Sequence, residues 1–213
     1  MCTRKNILFI LIVLMLCPLM SCINVKQPNP GIKYYTLEYD SPKFSEKPPL
    51  PFVIKLDNFK VAPVYNTTGI IYREQAFERK IYSYHRWMVN PGEMVSYFIG
   101  RDLRESGLFK GILLRGERGQ DVSYRLTGML EEFYELDDNK AWQGVITLSI
   151  SLAPQGGLNS PETAIFQKTY SAKELCSMKN PASLAEALSI AMEKVSREIM
   201  EDIYDYLKKE AEK

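Results

Sequence analysis

Apolar and polar residues alternate with a period of two along much of this chain, which points to a fold built on a sheet. The clearest run alternates Ile146, Leu148, Ile150 and Leu152 with Thr147, Ser149 and Ser151. Successive side chains of a strand point to opposite faces of its sheet. This run therefore predicts a strand with one face in the core and the other in water.

The same alternation predicts further strands. They cover Tyr35–Tyr39, Phe52–Leu56, Val122–Thr127 and Ala164–Ser171. Ile70–Arg73 and Phe77–Tyr84 predict a hairpin around Glu74–Ala76, whereas Asp137–Asn139 and Gln155–Gly157 predict turns. Because short turns join neighbouring strands, a largely antiparallel sheet is expected.

Two helices interrupt the strands. Asn90 and Pro91 are a helix start, with Asn at the N-cap and Pro in the first helical position, and Gly107 is a C-terminal stop. A second apolar stripe of helical period begins near Pro181 and runs almost to the end of the chain. The prediction is an α+β fold: a largely antiparallel sheet with two helices packed on one face, in a single domain over residues 33–213.

The first 21 residues predict a signal peptide. Arg4 and Lys5 precede the apolar run Ile7–Leu16, which as a helix would reach about 15 Å, half of a bilayer core. The run is thus too short to span a membrane and is typical of an exported protein's leader. Leu19-Met20-Ser21-Cys22 follows and resembles the lipobox of bacterial lipoproteins, which predicts acylation of Cys22.

Residues 22–32 are predicted to be the acylated Cys22 and a flexible tether, because Ile23–Ile32 contains two prolines, a glycine and several polar residues. Removing the leader would leave Cys176 as the one free thiol, so no internal disulfide is expected. The 27 basic and 26 acidic residues of the whole chain give no basic excess, which argues against a nucleic-acid partner.

No catalytic or metal-binding set emerges from the sequence. His85 is the single histidine, and one His with one Cys is too few ligands for a zinc site. The acidic residues Glu131, Glu132, Glu135, Asp137 and Asp138 lack the spacing of a calcium loop and are interpreted as a solvated strand end. The chain is therefore predicted to be no enzyme and to need no metal or cofactor.

Aromatic residues suggest a binding surface. Tyr84, Arg86 and Trp87 precede the first helix, and Tyr34 and Tyr35 lie at the start of the domain. Tyr, Trp and Arg are enriched at binding hot spots, so these five residues are the candidate partner-binding residues. Packing in the core is the alternative role for Trp87.

Several short motifs occur in a fixed order: the lipobox, Tyr34-Tyr35-Thr36-Leu37, Phe52–Leu56, and Tyr84–Trp87 with Pro91 before an amphipathic helix. This order resembles the ABC-type transport auxiliary lipoproteins, which include the paraquat-inducible protein C group. Arg86-Trp87 followed by Pro91 is the most specific of these motifs. The resemblance covers the whole chain after the leader, including the closing helix.

The resemblance implies a non-catalytic adaptor in an MCE-type system, which moves phospholipid-like molecules between the two membranes of diderm bacteria. It implies an MCE-domain protein or ABC transporter complex as partner and is compatible with a homo-oligomer. In enterobacterial sorting, Asp after the acylated Cys favours inner-membrane retention. Ile23 therefore favours the periplasmic face of the outer membrane, with the inner membrane as the alternative.

Three alternatives from other classes stay open at this point. One is a periplasmic lipid carrier, which would need an enclosed apolar cavity between sheet and helices. Another is an outer-membrane assembly lipoprotein or an activator of cell-wall enzymes. A hydrolase is the third and has the least support, because its site residues are missing.

Overall fold

The computed structural model describes residues 31–44, 46–119, 121–138, 140–156 and 163–212. The predicted leader, Cys22 and nearly all of the predicted tether lie outside these ranges, as do Asn139 and Gly157 of the two predicted turns. The described elements, in chain order, are β1 (Lys33–Tyr35), β2 (Leu50–Leu56), β3 (Lys60–Val61), a 3-10 turn (Pro63–Tyr65), β4 (Gly69–Arg73), β5 (Lys80–Trp87), α1 (Pro91–Ser106), β6 (Phe109–Leu113), β7 (Tyr124–Asp137), β8 (Trp142–Pro154), β9 (Phe166–Leu175) and α2 (Pro181–Ala211).

Strand β7 is the centre of a curled, mixed sheet. Along one side it pairs over its full length with antiparallel β8, which in turn pairs with antiparallel β9. Along its other side it meets β2, β3 and β4 one after another, all parallel to it. The sheet continues from β2 to parallel β6, and from β4 through antiparallel β5 to parallel β1.

The α+β class is confirmed, and its three hairpin-like pairings are antiparallel as predicted. The predicted hairpin near residue 75 is β4 and β5, and the longest ladder joins β7 to β8. The parallel pairings join strands that are distant in the chain, so local turn signals gave no indication of them. The sheet is therefore more mixed than short turns implied.

Both helices begin where their capping residues predict. The Asn90 side chain accepts a hydrogen bond from the Gly92 N–H at 3.0 Å, and α1 stops before Gly107, whose φ is +67°. The Asn180 side chain accepts from the Ser183 N–H at 2.9 Å and caps α2. Proline stands in the first position of each helix, where no backbone donor is lost.

One core lies between the sheet and the two helices. Its α2 members include the predicted stripe of Leu184, Leu188, Ala191, Val195, Ile199 and Ile203, and its β8 members are Ile146, Leu148, Ile150 and Leu152. Gly144 lets α2 approach closely, because an added Cβ there would lie 3.1 Å from the Leu188 backbone nitrogen. Burial of these apolar side chains is the main stabilising contribution.

A buried carboxylate, Asp102 of α1, holds the segment after β1 against both helices. It accepts hydrogen bonds from the Tyr39 hydroxyl at 2.7 Å and from the Ser196 hydroxyl of α2 at 2.6 Å. Arg101 donates to it through two nitrogens, at 2.8 and 2.9 Å. The charge is thus both paired and hydrogen-bonded, which a buried carboxylate requires.

Candidate functional site

Parallel pairing of β1 with β5 brings two distant parts of the sequence together at the surface. Tyr34 lies directly opposite Arg86, and Tyr84 lies two residues earlier on the same strand. Tyr34 is 53% exposed and Tyr84 is 45% exposed. Because alternate residues share a face of a strand, the two tyrosines and the guanidinium form one outward surface.

Exposed apolar residues extend this surface at both strand ends. Ile32 precedes β1 and Met88 follows β5, and both side chains are exposed. We call Ile32, Tyr34, Tyr84, Arg86 and Met88 the aromatic patch. Such a surface combines large, rigid contact groups with one fixed positive charge, a composition typical of protein-binding sites.

Tyr35 and Trp87 face the other way, so the structure divides the five predicted residues between two faces. The Tyr35 hydroxyl lies 2.8 Å from Nδ1 of His85, and burial is the main reason that the pKa of His85 is lowered, with Lys33 adding to it. Trp87 is 2% exposed and packs on Phe133, with ring centroids 5.1 Å apart. Trp87 therefore has the packing role and does not contribute to the surface.

Sequence reasoning missed a buried glutamate behind this face. Glu135 of β7 is 0% exposed, and the Tyr82 hydroxyl lies 3.0 Å from each of its carboxylate oxygens. Burial raises its pKa to about 7, against the lowering effect of the Tyr82 hydrogen bond. The interpretation of the acidic residues as solvated is wrong for Glu135. Glu135 lies two residues after buried Phe133 on β7, so both side chains point to the same, buried face of the strand.

The remaining reactive groups form no catalytic arrangement in the parts of the chain described. Burial raises the pKa of the Cys176 thiol to about 11, so it is protonated at neutral pH and a poor nucleophile. No group of three His, Cys, Asp or Glu side chains in those parts is arranged to hold a metal ion. Over the same residues, none of the helices has the length and apolar character needed to cross a membrane.

The open face of the sheet carries a polar groove of about 590 Å³. Its lining includes Thr127, Ser149, Ser151 and Thr169, with Asp57 and Lys60 at one side. Ser149 and Thr169 are hydrogen-bonded to each other at 2.9 Å, so part of the hydroxyl set is already satisfied. This groove differs from the enclosed apolar cavity that a lipid carrier would need.

Comparison with known families decides the identity. The model of a family described as "ABC-type transport auxiliary lipoprotein component" matches residues 35–200. The chain belongs to this family. It is therefore an auxiliary lipoprotein, and the family description supports an accessory role in ABC-type transport at a membrane of the cell envelope.

Two solved structures share the fold of this auxiliary lipoprotein, and a third resembles it more distantly. A Xanthomonas campestris protein of the DUF330 family has a TM-score of 0.72 at 16% identity, covering 85% of this chain and 99% of its own. An uncharacterized protein has a TM-score of 0.63 at 15% identity, with coverages of 81% and 99%. The PelC dodecamer of Paraburkholderia phytofirmans has a TM-score of 0.43 at 14% identity, with coverages of 70% and 91%. Among curated proteins, none matches the auxiliary lipoprotein significantly.

The family match covers part of the aromatic patch. Tyr84, Arg86 and Met88 lie inside the matched residues, whereas Ile32 and Tyr34 precede them. Cys22 also precedes the match. In the auxiliary lipoprotein the patch is thus assembled from a strand within the family region and from the strand that leads into it.

Proposed function

We propose that this auxiliary lipoprotein is a membrane-anchored, non-catalytic adaptor of an ABC/MCE-type intermembrane phospholipid transport system. Acyl chains on Cys22 hold the domain at the periplasmic face of the outer membrane, and an MCE-domain protein binds the aromatic patch. The observation that carries this proposal is the β1–β5 pairing, which gathers Tyr34, Tyr84 and Arg86 on one exposed surface.

The patch has properties that favour a protein partner. Tyrosine offers a large contact area with little side-chain entropy to lose, and its hydroxyl stays able to hydrogen-bond. Arg86 adds a planar cation that can pair with a carboxylate of the partner. These groups stand on paired strands, so binding needs little ordering of the adaptor's backbone.

The anchor and the tether together would keep such a domain within reach of the bilayer. Two or three acyl chains give stable membrane attachment, whereas a single chain gives marginal binding. The ten residues Ile23–Ile32 span at most about 35 Å when extended. The patch begins at Ile32, so the partner is met directly beyond the tether.

Partner binding is tested by co-purifying the MCE-domain protein of the same bacterium with the tagged full chain. Tyr34→Ser and Tyr84→Ser should each weaken the affinity for the partner about 30-fold and lower its recovery accordingly, since a hot-spot side chain contributes about 2 kcal/mol. Tyr97→Ser is the matched control, because Tyr97 is also an exposed tyrosine and lies on α1. Unchanged recovery with both patch variants would contradict the proposed interface.

The anchor is tested separately by metabolic labelling with palmitate. The wild-type chain should carry the label and remain in the membrane fraction after a high-salt wash. Cys22→Ser should lose both the label and the membrane attachment. Firm membrane binding of the Ser variant would refute an anchor at Cys22.

A further inference from the structure

Three parts of the chain meet at one end of the sheet, which we call the hairpin end. They are the β4–β5 tip at residues 74–79, the paired ends of β7 and β8 at Asp137 and Trp142, and the loop from β9 to α2. Parallel strands β4 and β7 both finish there, with Arg73 opposite Leu136. Strand β9 finishes there too, because Leu175 lies opposite Gln143 near the start of β8.

The amino end of β1 faces the hairpin end as well. Strand β5 starts at the tip and runs away from it, and β1 is parallel to β5, with Lys33 opposite His85. The part of β5 between Lys80 and His85 is about 17 Å long at 3.3 Å per residue. A tether of about 35 Å can therefore place Cys22 and the tip at the same bilayer surface.

Phe77, in the tip, is the most exposed large apolar residue in the part of the chain that the structure describes. Its side chain is 104% exposed, and its φ of +67° places a bulky residue in the left-handed region, where few such residues occur. Lys80 braces the turn through ion pairs with Glu74 at 2.5 Å and Glu78 at 3.6 Å. The fold thus holds an aromatic ring in a costly conformation, directed away from its own core.

Other apolar and cationic side chains share this end. Leu175 and Met178 are 66% and 64% exposed. The guanidinium carbons of Arg73 and Arg79 lie 5.1 and 5.3 Å from the centre of the Tyr134 ring, at the base of the tip. Guanidinium groups pair well with phosphate, and aromatic rings favour the boundary between headgroups and acyl chains.

We propose that the hairpin end is a second membrane contact, in which Phe77, supported by Leu175 and Met178, enters the headgroup boundary of the bilayer that holds Cys22. This inference rests on the proposed anchor at Cys22. The contact would fix the orientation of the domain on the lipid surface, because the acyl chains alone leave it free to rotate. The β1–β5 face would then keep a defined angle to the bilayer.

Quenching of tryptophan emission by brominated lipid tests the contact in the acylated full chain. Phe77→Trp and the control Tyr97→Trp are placed in vesicles of three parts phosphatidylcholine to one part phosphatidylglycerol, with or without brominated acyl chains. Tyr97 borders a groove with Asn58 and Leu114. This groove lies near β2, which pairs with the opposite end of β7. Wild-type emission from Trp87 and Trp142 is subtracted from each variant.

The added emission of the Phe77→Trp chain should fall about twofold in brominated vesicles, whereas that of Tyr97→Trp should stay nearly constant. Equal emission changes in the two variants would overturn the membrane contact. A second outcome is added emission of the Phe77→Trp chain that is insensitive to bromine and shifts when the MCE-domain protein is added. That result would also overturn the membrane contact and would assign the tip to a protein pocket.

Vesicle flotation of the same samples separates this inference from the anchor. If the chain floats with the vesicles but shows no quenching, the anchor is supported and the second membrane contact is refuted. If the chain carries no acyl mass and does not float, both the anchor at Cys22 and the second membrane contact are refuted. Phe77 is fully exposed, so its replacement leaves the folded core unchanged.

Discussion

Replacing Glu135 with Gln should make the domain more stable at pH 8 and change its stability little at pH 5. Glu135 is fully buried, and its neighbours within hydrogen-bonding distance include the Tyr82 hydroxyl. Burial, the largest cause, raises its pKa from an ordinary value of 4.5 to about 7. Asp137 and Glu74 raise it further, whereas Tyr82 and Lys179 lower it.

The sign and size of the effect follow from proton linkage. Below pH 4.5 the carboxyl is protonated in both the folded and the unfolded chain, so it adds no pH dependence. Between pH 4.5 and 7 the unfolded chain ionises first, and the free energy of unfolding falls as the pH rises. Above pH 7 the full loss is present, which for a shift of this size is about 3 kcal/mol.

Urea denaturation followed by circular dichroism at pH 5 and pH 8 measures this difference. The Glu135→Gln variant keeps an acceptor for Tyr82 and cannot ionise, so it should exceed the wild type by about 3 kcal/mol at pH 8 and by less than about 1 kcal/mol at pH 5. Glu131→Gln is the control, because Glu131 is exposed on the same strand. Parallel pH profiles of the wild type and the Glu135→Gln variant would refute the reasoning.

Three further predictions concern stability and reactivity. Asp102→Ala should lower the free energy of unfolding by about 3 kcal/mol in urea denaturation, because it leaves buried hydroxyl donors unsatisfied; a loss below about 1 kcal/mol would contradict this. Gly128→Ala should destabilise by about 2 kcal/mol in the same assay, because its Cβ would overlap the Phe59 ring, and Phe59→Leu should recover part of that loss. At pH 7.5 iodoacetamide should alkylate Cys176 about 100-fold more slowly in the folded chain than in urea, since its thiol pKa is raised; equal rates would show an ordinary thiol.

Local signals in the sequence predicted the elements that depend on neighbouring residues. Asn90 with Pro91, and Gly107, marked the two ends of α1, and the structure confirms both. The alternation over Ile146–Leu152 marked β8 and identified its buried face. Capping and periodicity act within a few residues, so one stretch of sequence contains all the information that they need.

Such local signals could not predict contacts between residues that are distant in the chain. The parallel pairing of β1 with β5 depends on segments fifty residues apart in the chain, and it decides which aromatic residues share a face. Tyr34 and Tyr84 meet at the surface, whereas Trp87 enters the core and packs on Phe133 of β7. The composition of the candidate site was therefore predicted in part, and its geometry was not.

The position of β7 in the chain has a consequence for biosynthesis. Three strands from the first half of the chain pair with β7, which begins at Tyr124. A polypeptide that leaves a translocation channel amino end first exposes β2, β3 and β4 well before their common partner arrives. In a chain exported as proposed, Ile54 and Ile70 would then lack the strand that completes their core, so the emerged half could not close its sheet before β7 arrives. Modification enzymes acting near the amino end would meet an extended substrate, and closure of the sheet would follow as a late event.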